Sequence, residues 1–148
     1  RDITEAVLKD EIGVLHFTLD KAKLLSEKRN DESFKATQEA LVRVMNLDKE
    51  EKAAINPTLL ETESEENLYN QYLEAKDTFE KELQARNARL ALEALETLRD
   101  PIHHFFENNM VMAEDEQIRQ NRLALISQIS KTIRQFGDLT LVEWKQHL

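Results

Sequence analysis

The sequence predicts an all-helical domain. Glycine and proline each occur only twice in 148 residues, charged residues make up 33% of the chain, and apolar residues recur at spacings of three and four along most of it. Hairpins rely on tight turns that so few glycines do not supply, whereas long helices tolerate a charged composition. At this length one compact core is the default, burying roughly two-thirds of the surface that the unfolded chain would expose. The expected organisation is a single helical domain over residues 1–148 with an internal loop at 48–61.

The elements follow in order. Asp2 with Glu5 has the form of a capping box, and Ile3, Ala6 and Val7 give a first short apolar face. That helix is expected to stop or bend near Asp10 to Gly13. From Val14 to Lys28 the apolar residues Leu15, Leu19, Ala22 and Leu25 trace one stripe of a second helix. Asp31 can cap a third through Asn46, with Phe34, Gln38, Leu41 and Met45 on one face and Lys35, Arg43 and Asn46 on the other. Between Leu47 and Glu61 the periodicity fails, and Asn56-Pro57 turns the backbone away from helix.

Thr62 and Glu65 form another capping box, followed by a stripe of Leu68, Tyr72, Ala75, Phe79 and Leu83. Ala88 to Leu98 predicts a smaller-sided helix. Asp100-Pro101 reads as a cap and a first helical position, starting a short helix through Glu107 that carries Ile102, Phe105 and Phe106 inward. Asn108-Asn109 reads as a turn. The last long helix runs from about Asp115 to Phe136, stopped by Gly137-Asp138, and the tail residues Leu139, Leu141 and Trp144 are expected to dock on the bundle. At 100° per residue Ile118, Leu125, Ile129, Ile133 and Phe136 share one face, and Arg122 falls inside it. A guanidinium there is costly unless paired, which makes Glu114 and Asp115 its expected partners. Arg119 sits at the edge of the stripe and Arg134 beyond it, both directed to solvent.

No long apolar run, secretory signal or cysteine occurs, which gives no support to a membrane span or a disulfide framework and fits a cytoplasmic protein. The chain opens on Arg1 rather than methionine, as expected of a piece of a longer protein. The formal charge of −9 opposes generic nucleic-acid binding, so that any RNA contact must be local. The charge is uneven. Asp48 to Glu82 holds eleven acids and four lysines, whereas Gln117 to Phe136 holds Arg119, Arg122, Lys131 and Arg134 and no acid.

The segment LRDPIHHFFENNMVMAEDEQIRQNRLALISQI, from Leu98 to Ile129, resembles the C-terminal signature of the β subunit of bacterial heterotetrameric glycyl-tRNA synthetases. Its parts arrive in the family's order: the leucine-arginine-acid-proline restart, the Phe-Phe pair, the run from Met110 to Glu116, then Arg119 and Asn121 to Leu125. Upstream, Ile55-Asn56-Pro57 with Leu60, Glu61, Glu63 and Leu68-Tyr69 is similar to the stretch before the family's long helix. Arg43 and Asn46 match a Lys-Arg-x-x-Asn-Ile pattern in which Val42 here replaces the lysine and Leu47 the isoleucine, removing one expected phosphate contact. The resemblance implies a helical anticodon-binding domain of the type shared with arginyl-tRNA synthetase. It also implies glycine tRNA, the rest of the β subunit and an α subunit as partners in an α2β2 enzyme, with ATP and magnesium used at the α subunit's catalytic centre and no cofactor bound here.

No catalytic or metal-ligating set is expected within this chain. His103-His104 with Glu107 is the cluster nearest to one, but it lacks a third ligand at a fixed spacing, and two glycines do not build a phosphate loop. Glu114, Asp115 and Glu116 suit the positive end of a helix dipole, which assigns them to capping and pairing rather than to a cation. Arg43 and Asn46 lie one turn apart on a polar face, as a pair reading a base edge and a phosphate would, although a merely solvated face has the same pattern. Lys35, Arg119, Lys131 and Arg134 are the further RNA-contact candidates. A stacked base is expected on an arginine plane or on Trp144, because the other aromatics fall on core stripes. The rival function is a helical protein-interaction or scaffold domain, motivated by the charge and the amphipathic helices.

Overall fold

The computed structural model describes residues 2–142, so that Trp144 lies outside the described residues. Six α-helices follow one another: α1 (Asp2–Lys28), α2 (Glu32–Leu47), α3 (Glu63–Gln84), α4 (Ala88–Glu96), α5 (Arg99–Asn108) and α6 (Glu116–Phe136). Short 3-10 turns occupy Pro57–Leu59 and Leu139–Leu141, and no strand occurs among the described residues. The capping residues read from the sequence set three of the starts. Asp31 accepts from the Ser33 amide, Thr62 and Glu65 cap α3 reciprocally, and Asp115 accepts from the amides of Gln117 and Ile118.

In the bundle α3 packs against α4 and α5, and α2 against α5 and α6, while α1 lies along α4. Their stripes meet in one core, where Leu41, Phe79, Leu95, Phe105, Leu125 and Ile129 are essentially inaccessible. Tyr72 brings a polar tip into it. Its hydroxyl donates to the Gln128 carbonyl at 3.1 Å and lies 2.8 Å from Thr132 Oγ1, tying α3 to α6. Burial raises the phenol above its ordinary pKa, keeping it neutral and able to donate.

Three local expectations are corrected. The first two predicted helices are one, because a glycine inside a helix costs only about 1 kcal/mol and does not compel a break. Gly13 has no positive φ. Its missing side chain instead admits Arg86, whose guanidinium would collide with a β-carbon there and which pairs with Asp10 at 2.9 Å. Asp100 is not a cap. Thr97 and Leu98 stay in the right-handed helical region, α5 starts at Arg99, and Asp100 accepts from Arg99 Nε at 3.0 Å. Pro101 is then the third helical residue, still among the positions whose N–H has no intrahelical acceptor. Leu139 is buried as expected, but Leu141 is exposed. Gly137 ends α6 in an extended conformation.

Candidate nucleic-acid interface

The outward face of α2 follows from the burial of Phe34, Thr37, Leu41 and Val44 on its inner side. At 100° per residue, Lys35, Glu39, Arg43 and Asn46 fall within about 80° of one another on the opposite side, and all four are exposed. Arg43 is positioned by its neighbour on α5. Its guanidinium carbon lies 4.1 Å from the Phe106 ring centroid, and Phe106 in turn meets the buried Phe105 edge-on, with centroids 5.3 Å apart and planes at 67°. The sequence pattern turns Phe106 inward, and the structure corrects this. Adjacent helical residues point about 100° apart, so Phe105 enters the core while Phe106 remains half-buried beneath Arg43.

The chain leaving α2 is fixed to α6. Ser127 Oγ donates to Asp48 Oδ1 at 2.6 Å and accepts from the Glu51 amide at 3.0 Å, and the Glu50 amide reaches the same carboxylate oxygen at 2.8 Å. Further along, Asn121 holds Asn56 from both sides, accepting from its amide at 2.7 Å and donating to its carbonyl at 3.1 Å. A stretch without periodicity therefore has a defined path. Lys131 and Arg134, both exposed, line a shallow groove of mixed charge between this stretch and α6, together with Lys52 and the acids Asp48, Glu50 and Glu51. The clamp brings the end of α2, with Asn46, to the same α6 segment from which Lys131 and Arg134 project.

The remaining arginines are used for structure. Arg119 is half-buried and donates to the Ala113 carbonyl at 3.3 Å, holding the α5–α6 connection rather than projecting freely to solvent. Arg122 is buried, but its expected partners are not its actual ones. It pairs with Glu65 at 2.8 Å, lies 3.7 Å from Glu61 and donates to the Met110 carbonyl at 2.6 Å. Glu114 is exposed and Asp115 is occupied as the α6 cap. Asp115 lies seven residues away along the same rigid helix, roughly 10 Å in axial rise, whereas Glu65 faces Arg122 across the core. No group of three or more histidine and acidic side chains suited to a metal ion occurs among the described residues. No helix among them is long and apolar enough to cross a membrane.

Residues 37–148 match the DALR anticodon binding domain, three-quarters of the chain. The chain belongs to the DALR anticodon-binding domain family. Its relatives include the glycine–tRNA ligase β subunit of Oceanobacillus iheyensis, 50% identical over 147 residues, which are 98% of this chain and 21% of the relative. Those of Halalkalibacterium halodurans and Bacillus subtilis are 38% and 32% identical over 97% and 93% of the chain, again covering 21% and 20% of their own lengths. This DALR chain thus spans about a fifth of the length of the curated relatives it matches.

Three contacts that shape the exposed surface of this DALR domain have no counterpart in the sequence pattern: Arg43 on Phe106, Ser127 on Asp48 and Asn121 on Asn56. The Phe-Phe pair was a usable signal, since two neighbours on one helix do not share a face. The Asp48–Ser127 contact, 79 positions apart, left no local trace. It does have a measurable signature. Burial raises the Asp48 pKa, but the Ser127 hydroxyl, the Glu50 amide and the charge of Arg134 outweigh it and hold the carboxyl below its ordinary 3.8. A depressed folded-state pKa contributes stability above the unfolded value and loses it as pH falls through the folded one. In an NMR titration the Glu51 amide should therefore report loosening of the clamp with a midpoint below 3.8. A midpoint at or above that value refutes the assignment.

Proposed function

We propose that this chain is the anticodon-binding domain of a glycine–tRNA ligase β subunit and that the outward face of α2 reads the anticodon loop. The observation that carries the reading is the exposed Arg43 guanidinium laid over Phe106, one turn from Asn46. Loop bases of RNA are recognised when splayed out, stacked on aromatic or guanidinium planes and hydrogen-bonded along their edges. Arg43 offers such a plane and Asn46 both a donor and an acceptor, while Lys131 and Arg134 across the clamp offer charge for the backbone. Family membership and the names of the relatives support the same reading.

Under it the domain contributes recognition and holds no reaction centre. ATP-dependent glycylation, with its magnesium, belongs to the α subunit of a cytoplasmic α2β2 enzyme, and this domain presents the tRNA to it. The test is a titration of the chain with glycine tRNA and with an anticodon-substituted variant at two salt concentrations. We expect the substituted RNA to bind about tenfold more weakly, equivalent to about 1.4 kcal/mol and within the usual cost of a mismatched base contact. The difference should persist when salt weakens both complexes through lost counterion release. Equal affinities at both salt concentrations overturn the reading.

A further inference from the structure

The outer side of α1 carries an apolar seam that none of the described residues covers. Leu8, Ile12, Leu15 and Leu19 are 52%, 56%, 59% and 57% exposed, and the exposed Ala22 continues the row. Their 4-3-4 spacing is that of a helix packing on another helix along a coiled-coil seam, and at 100° per residue the four fall within about 60°. The seam lies roughly opposite the side formed by Gly13, Phe17, Lys21 and Leu24, which is turned to the bundle. That inner side is fastened to the bundle between Asp10 and Lys28. Arg86 pairs with Asp10 at 2.9 Å, Arg89 with Glu27 at 3.2 Å and Lys28 with Glu96 at 3.2 Å. The helix is therefore a handle attached to the bundle, with a continuous apolar edge facing away from it. Contiguous exposed apolar surface of this kind marks an interaction site.

The extent of the similarities points to where an occupant would come from. The anticodon-binding domain match begins at residue 37 and leaves α1 outside it. The Oceanobacillus β subunit matches 98% of the chain, α1 included, and roughly four-fifths of that relative lies outside the match. The residues that carry the seam thus lie within the stretch matched to that much longer β subunit. We infer that the Leu8 to Leu19 seam docks on a helix in the remainder of a β-subunit polypeptide and braces the anticodon-binding bundle against it. This inference rests on the β-subunit reading above.

The test places this chain in the Oceanobacillus β-subunit polypeptide in exchange for its matching 147 residues and follows amide hydrogen exchange. Exchange at residues 8–19 is expected to slow about tenfold or more relative to the isolated chain, as protection follows local opening. The Ile12→Gln/Leu15→Gln/Leu19→Gln variant should return it to the isolated chain's rate while leaving that chain's melting temperature unchanged. Equal exchange in both contexts, or protection that survives the triple substitution, overturns the inference. So does an isolated chain that is already protected and sediments as a dimer, since a second copy then covers the seam. A full-length polypeptide that discriminates anticodons but leaves residues 8–19 unprotected overturns only the seam. Protection without anticodon discrimination overturns only the functional reading.

Discussion

Replacing Arg122 with alanine is expected to destabilise the domain by about 3–5 kcal/mol, the usual cost of removing one partner of a buried ion pair. Arg122 is 6% exposed and Glu65 is fully inaccessible. Truncation strands the Glu65 carboxylate in the core and also removes the donor to the Met110 carbonyl. Against a total stability of roughly 5–15 kcal/mol for a domain, a loss of this size moves the urea midpoint far enough to measure without ambiguity. Glu65 has a second task, accepting from the Thr62 amide in the α3 capping box at 3.3 Å, so one carboxylate couples the start of α3 to the middle of α6. Glu65→Gln/Arg122→Met, which removes both charges together, should recover part of the loss. Glu114→Ala should leave the midpoint where it is, because Glu114 is exposed and is not Arg122's partner. An Arg122→Ala protein that unfolds at the wild-type midpoint would falsify the assignment.

That pair also marks how far the sequence could be read. The helical stripe placed Arg122 among Leu125 and Ile129 and therefore required a partner, which was correct. It offered Glu114 and Asp115 because local sequence reveals only neighbours on the same element, whereas Glu65 lies 57 positions away. The same division holds through the rest of the fold. Caps at Asp31, Thr62 and Asp115 are local hydrogen-bond patterns within a few residues, and each sets a helix start. Gly13 reads locally as a break, whereas its use is a tertiary approach by Arg86. Asp100 has the local pattern of a cap, but α4 runs into α5 without leaving helical geometry. At the candidate interface, periodicity placed Arg43 and Asn46 outward, but it did not show that Phe106 supports Arg43 from another helix.

The net charge of −9 is compatible with an RNA-facing surface because phosphate attraction falls off within a Debye length, about 8 Å at physiological salt. The charges that matter are those beside the contact. Salt bridges divert several cations of the bundle: Lys28 to Glu96, Lys81 to Asp77, Arg86 to Asp10 and Arg122 to Glu65. Arg43, Lys131 and Arg134 are exposed, and Arg43 rests on an aromatic ring that fixes its plane.

Arg43→Ala is accordingly expected to weaken glycine tRNA binding by about 1–3 kcal/mol, the range for a side chain that reads a base. Thermal stability should change little, because the residue is exposed and its contact with Phe106 is of the solvent-facing kind, worth about 0.5–1 kcal/mol. Two further variants separate stacking from charge. Arg43→Lys retains the charge but loses the planar guanidinium, so it should bind nearly as weakly as the alanine variant if a base stacks there and nearly as well as wild type if only a phosphate is held. Lys131→Ala should instead weaken all RNAs alike and reduce the salt dependence of binding by about one unit, the behaviour of a backbone contact. Fluorescence anisotropy with the glycine tRNA and its anticodon variant distinguishes these outcomes. Unchanged affinity in Arg43→Ala, with the fold intact, removes Arg43 from the interface and with it the observation that carries the reading. A loss in Arg43→Ala that is the same for both RNAs keeps α2 in contact with the arm but transfers anticodon reading to another part of the domain.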